Sequence, residues 1–141
     1  HTRSLCDWSS DVCSSDLATN HAKDLPVQFL SLDRREYVSL LRASDVVITL
    51  SKMVEGWNRI AHEAMLCRTP VIGSGTGGMQ ELLDGGGQLT IKDPANLAEG
   101  LEKVLAHREK YADLGYAYVK KFSTGYFNSA WLSIIEELTR E

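Results

Sequence analysis

Residues 46 to 81 read VVITLSKMVEGWNRIAHEAMLCRTPVIGSGTGGMQE, and the changes of period inside this stretch decide the fold. Val46 to Leu50 is a β-branched apolar run between Ser44-Asp45 and Ser51-Lys52, which predicts a buried strand. From Asn58 the period becomes helical. Trp57, Ile60, Ala61, Ala64 and Met65 share one face, Arg59, His62 and Glu63 occupy others, and Pro70 stops the helix. Val71-Ile72 begins another strand, Gly75 to Gly78 a loop, and Met79 to Leu83 a short helix. Strands and helices alternating across short loops imply a parallel sheet covered by right-handed crossovers.

Working outward, the pattern continues on both sides. Upstream, Val27 to Leu30 predicts a further strand, and Tyr37, Leu40 and Leu41 recur at helical spacing with Arg34, Arg35 and Arg42 outside the stripe. Downstream, Gln88 to Ile91 predicts another strand. Asp93-Pro94 reads as an N-cap and first helical position, followed by the stripe Leu97, Leu101, Val104 and Leu105. Two further helices are expected: Glu109 to about Lys121, then one starting after Ser123 with Phe127, Trp131, Ile134, Ile135 and Leu138. That last stripe is read as core, or as a face for another domain. The expected fold is a partial doubly wound, Rossmann-like α/β domain of about four parallel strands.

Residues 1 to 17 are set apart. Asp7 to Leu17 alternates Ser and Asp with no structural period, and it resembles the conceptual translation of a sequencing-library adapter. The expected organisation is therefore an artefactual segment, 1 to 17, and a truncated domain, 18 to 141.

Composition narrows the partners. A chain of 141 residues with 43% hydrophobic content supports one buried core. A formal charge of -4 and the absence of any Lys/Arg run argue against nucleic acid and membrane surfaces. No apolar stretch approaches the roughly 20 residues of a membrane-spanning helix, and no secretory h-region is evident, so the expected setting is cytoplasmic. The three cysteines, Cys6, Cys13 and Cys67, form neither a disulfide framework nor a metal knuckle, and no metal or cofactor is expected.

In an open parallel sheet, ligands bind beyond the carboxyl ends of the strands. Glu55 falls in the loop after one strand, followed by Gly56. Glu63 falls about five residues into the next helix, roughly 7.5 Å along its axis. The amides at that helix start favour phosphates, while carboxylates accept hydrogen bonds from sugar hydroxyls. A nucleotide sugar offers both groups.

The string S-x3-E-G-W-N-x4-E-A-M-L-C-R-T-P-V-I-G-S-x2-G-G-x2-E, Ser51 through Glu81, resembles the signature of family-four retaining glycosyltransferases of the two-domain GT-B architecture. The resemblance implies that this chain is the C-terminal, donor-binding part of such an enzyme, lacking its N-terminal domain. The parent would transfer a hexose from a nucleoside diphosphate sugar to an acceptor hydroxyl with retention. It assigns Glu55 to the donor sugar as the catalytic residue and Glu63 to the nucleotide ribose, with Gly56, Trp57, Asn58, Gly77 and Gly78 near the diphosphate and sugar. The isolated chain is expected to be inactive, because the family's phosphate-gripping Arg and Lys lie upstream of it.

Two departures stand out: Trp57-Asn58 replaces the family's Phe-Gly, with Asn58 a candidate N-cap, and Arg68 sits where the family has a left-handed glycine. Blander readings sit beside the functional ones. Glu55 and Glu63 are also read as solvated carboxylates, His62 as a surface histidine about 100° around the helix from Glu63, and Lys52 as solvated. Trp57 is read either as packing beside the donor or as stapling the helix start, and Gly77-Gly78 either as a ligand-approaching loop or as one needing unusual dihedrals. Gly73-x-Gly75-x-x-Gly78, with Asp93 further on, also fits a dinucleotide-binding oxidoreductase. The short helix after it and the unexplained glutamates argue against that alternative. The remaining alternative is an inert gene fragment.

Overall fold

The computed structural model describes residues 30–140. The chain divides into two compact units, the first ending at Glu36 and the second beginning at Tyr37. Helix α1 (Arg34–Ala43) lies mostly in the second unit, and its start is capped by Asp33: Oδ1 accepts from the amides of Arg35 (2.7 Å) and Glu36 (2.9 Å), while Glu36 Oε2 accepts from the Asp33 amide at 2.9 Å. This reciprocal box satisfies amides that have no partner inside the helix.

In the second unit the order is β1 (Val47–Thr49), α2 (Arg59–Leu66), β2 (Val71–Gly73), α3 (Gly78–Gly85) and β3 (Leu89–Thr90). A 3-10 turn (Pro94–Asn96) then leads into α4 (Leu97–Ala106), α5 (Arg108–Val119) and α6 (Thr124–Leu138). The sheet is parallel in the order β1-β2-β3, with Ile48 beside Ile72 and Ile72 beside Leu89. Among the described residues it has three strands. The strand expected at 27 to 30 lies, except for Leu30, outside them, as does the segment 1 to 17.

The strand period of two sends alternate residues of β2 to opposite faces. Val71 joins a core with Leu41, Ala61, Ala64, Met65, Met79, Leu82, Leu83 and Val119, so α1, α2, α3 and the end of α5 cover that face. Ile72 joins Ile91 and Val104, with Leu97, Leu101 and Tyr111 packed against them, so α4 and the start of α5 cover the other. Helices on both faces of a parallel sheet make the layering doubly wound.

Two buried polar groups stitch these layers. Gln88 Oε1 accepts from the Val71 amide at 2.8 Å, and its Nε2 donates to the carbonyls of Gly86 (2.7 Å) and Tyr111 (2.9 Å). Thr69 Oγ1 donates to the Leu41 carbonyl at 2.5 Å.

At the end of α2, Arg68 is left-handed with φ 59°, as its place in the sequence anticipates. Thr69 N–H reaches back to Ala64 O (2.9 Å) and Arg68 N–H to Met65 O (3.0 Å), which is the paired closure of a Schellman motif. A non-glycine residue in this conformation costs about 1 kcal/mol. Its side chain gains compensating contacts on α5, an ion pair with Asp113 and a stacking position 4.3 Å from the Tyr116 ring centroid.

Three expectations are corrected. The run Val46 to Leu50 is not buried throughout, because β1 is an edge strand among the described residues and Ile48 is 43% exposed. Ile60, assigned to the core face of α2, is exposed at 49%, since that face narrows to Ala61, Ala64 and Met65. The α6 stripe is not core: no residue of that helix is buried, and Trp131 remains 51% exposed.

Candidate functional site

The site is built at the carboxyl ends of β1 and β2, where two loops are bound to each other along their length. Ser74 N–H donates to Thr49 O at 3.2 Å, and Ser51 N–H donates to Ser74 Oγ at 3.2 Å. Thr76 Oγ1 donates to Met53 O at 2.9 Å, and Gly78 N–H donates to Glu55 O at 2.9 Å. The loop carrying Glu55 is thus held by the loop carrying the glycines, which start α3.

This contact explains Gly77 and Gly78. Gly77 has φ 58° and ψ -138°, a conformation that side chains other than hydrogen resist. A Cβ on it would strike the Glu55 carbonyl oxygen and lie 2.8 Å from Val54 Cγ1, while one on Gly78 would lie 3.0 Å from the Gly56 carbonyl carbon and 3.1 Å from Trp57 N. Gly77 is required both by the loop-to-loop approach and by its dihedrals, while Gly78 leaves little room for a side chain against the same loop.

Beyond Glu55 the chain enters α2 through Asn58, whose extended backbone and Oδ1, accepting from Ala61 N–H at 2.9 Å, make it the expected N-cap. The first amides of the helix have no intrahelical acceptor and form the positive end of its dipole. Glu63 lies one turn further on, with its side chain 39% exposed. Its Oε2 accepts from the Tyr37 hydroxyl at 2.9 Å, and Arg59 Nη2 stands 3.8 Å from Oε1. Burial, then the bond to Glu63 and its charge, hold the Tyr37 phenol well above its ordinary pKa.

Trp57 packs rather than standing free. Its indole N–H donates to His62 Nδ1 at 3.0 Å, and its ring meets Phe122 edge-on at 5.1 Å between centroids. Tyr118 and Tyr126 flank Phe122 at 5.3 and 5.4 Å, and Lys121 Nζ sits 4.0 Å over Tyr118. These contacts tie Trp57 to the first turns of α2 and to Phe122, as a staple of the helix start would. His62 is not a free surface histidine. It is half-buried in this cluster, and burial lowers its pKa against the opposing charge of Glu63. Tyr37 was read only as part of a helical stripe and Phe122 not at all, because each reaches the site from a distant helix or its end. Lys52 is exposed.

Among the described residues, no group of three or more His, Cys, Asp or Glu is placed to hold a metal ion, and no helix is long and apolar enough to cross a membrane. Gly73 to Gly78 does lie between a strand and a helix, as the dinucleotide alternative requires, but α3 is only 8 residues long.

A parallel α/β layer with a glutamate loop and a helix start at its carboxyl edge is the arrangement of open α/β domains, in which ligands bind beyond the carboxyl ends of the strands. Residues 13–121 match the family model described as glycosyl transferases group 1, and the chain belongs to that family. The matched range starts at Cys13, inside the segment set apart as adapter-like. No curated protein and no solved structure matches the chain.

Proposed function

We propose that this chain is the donor-binding part of a retaining glycosyltransferase of two-domain, GT-B architecture, which moves a hexose from a nucleoside diphosphate sugar to an acceptor hydroxyl. The observation that carries the reading is the pinned pair of loops. They hold Glu55 and the start of α2 in fixed relation at the carboxyl edge of a parallel sheet, within a chain of the group 1 glycosyl transferases.

Glu55 faces the donor sugar and steadies positive charge as the bond from its anomeric carbon to the diphosphate breaks. The acceptor oxygen bonds to that carbon on the same face, its proton passes to the departing diphosphate oxygen, and the diphosphate leaves. Gly56, Trp57, Asn58, Gly77 and Gly78 shape the wall beside the diphosphate and sugar, with the α2 amides favouring the anion. Glu63 accepts from the ribose hydroxyls. In the two-domain architecture the acceptor is read by the other domain.

The test is a titration of the chain with UDP, GDP and NAD by ligand-observed NMR, repeated with Glu63→Ala. Binding of one nucleoside diphosphate that is lost in the variant supports the reading and names the base. A preference for NAD, or binding indifferent to the substitution, overturns it.

A further inference from the structure

A glutamate on the second turn of a helix with 39% of its side chain exposed ordinarily samples several rotamers, and its two oxygens are interchangeable to a ligand. Glu63 is different because a second element takes hold of it. Tyr37 comes from α1, 26 residues earlier, and its half-buried ring is packed against the core cluster of Leu41, Ala61 and Met65. The phenol therefore has little freedom of its own, and its hydroxyl lies 2.9 Å from Oε2. Among the described residues, the ion-pair partner of Oε1 is Arg59, at 3.8 Å, from a side chain 82% exposed that is free to swing into solvent.

We propose that Tyr37 is a positioning residue: by engaging Oε2 it turns the Glu63 carboxylate so that Oε1 is presented to the ribose diol of the donor nucleotide. This rests on the proposed ribose-binding role of Glu63. Because the phenol is held above its ordinary pKa by burial and by the carboxylate, Tyr37 stays protonated through the neutral range and acts only as donor towards Glu63. A diol that donates to a carboxylate oxygen fixed in advance binds without the cost of ordering the side chain.

The experiment compares the full chain with Tyr37→Phe and Glu63→Gln. The probes are UDP and GDP, each beside its 2′,3′-dideoxy counterpart, with dissociation constants from ligand-observed NMR. Tyr37→Phe keeps the ring in the core, and circular dichroism checks that the fold is retained. The unaltered chain is expected to prefer the ribonucleotide. Tyr37→Phe should weaken ribonucleotide binding roughly fivefold to tenfold, the loss that an ordinary net hydrogen-bond contribution corresponds to, while changing dideoxynucleotide binding less than about twofold. Equal weakening of both probes, or of neither, assigns Tyr37 a purely structural role and overturns the inference. If the unaltered chain makes no distinction between the probes, or Glu63→Gln leaves the distinction intact, the ribose role of Glu63 itself fails, and the inference with it.

Discussion

Replacing Gly77 by alanine puts a methyl group where the structure has the Glu55 carbonyl oxygen, with Val54 Cγ1 only 2.8 Å away. Three effects follow. The backbone at φ 58° and ψ -138° lies in a region nearly reserved for glycine, and holding alanine there costs about 1–3 kcal/mol. Relief of the overlap requires the loops to part, at a further cost of about 1–3 kcal/mol for a crowded site. Parting stretches the Gly78 N–H to Glu55 O bond, now 2.9 Å, and forfeits about 1 kcal/mol. The three together come to about 3–7 kcal/mol, a large share of the roughly 5–15 kcal/mol that stabilises an ordinary small domain. Urea unfolding followed by tryptophan fluorescence measures it, since Trp57 stands at the loop in question. Gly56→Ala is the control: its Cβ meets nothing within 4 Å, and it should shift stability by less than about 0.5 kcal/mol. A loss below about 1 kcal/mol for Gly77→Ala, or equal losses for the two variants, would refute the claim that loop contact requires glycine at Gly77.

Two further predictions concern the packing around the site. Gln88→Leu removes the acceptor of Val71 N–H and the donor to Gly86 and Tyr111 from a residue only 8% exposed, and should cost about 3 kcal/mol in chemical denaturation. His62 has its pKa lowered by burial, so the unfolded chain takes up a proton first. Its contribution to stability is full above the ordinary value of 6.5 and falls as the pH drops from there to the folded-state pKa, where it levels off. Urea midpoints across that range should fall with acidity, and His62→Gln should flatten the slope; an unchanged slope would show that the imidazole is not held neutral by its surroundings.

Much of the fold was legible in the amino-acid order because it is written in local terms. The positions of the helices and of the three described strands follow from apolar period, and the caps at Asn58, Asp93 and Ser123 follow from side chains that reach amides two or three residues away. The left-handed turn at Arg68 was anticipated from the family resemblance, which places a glycine there. Glu55 and Glu63 were singled out by spacing within a recognisable string.

Other features depend on contacts between segments distant in the chain, and only the tertiary structure decided them. Period alone assigned Ile60 and the α6 stripe to packed faces, yet an apolar side chain is buried only if another element covers it, and these are exposed. Gly77-Gly78 carried two readings until the Glu55 loop was seen to lie against them, because a glycine's sequence position does not reveal which backbone approaches it. His62 looked like a surface residue on a helical projection, but Phe122, 60 positions further along in the numbering, closes over it. Tyr37 bears no motif at all. Its link to Glu63 exists because α1 and α2 pack against the same face of the sheet, which brings a hydroxyl and a carboxylate 26 residues apart to within hydrogen-bonding distance. Short-range chemistry determined the elements and named the glutamates; chain folding over long range determined what surrounds them.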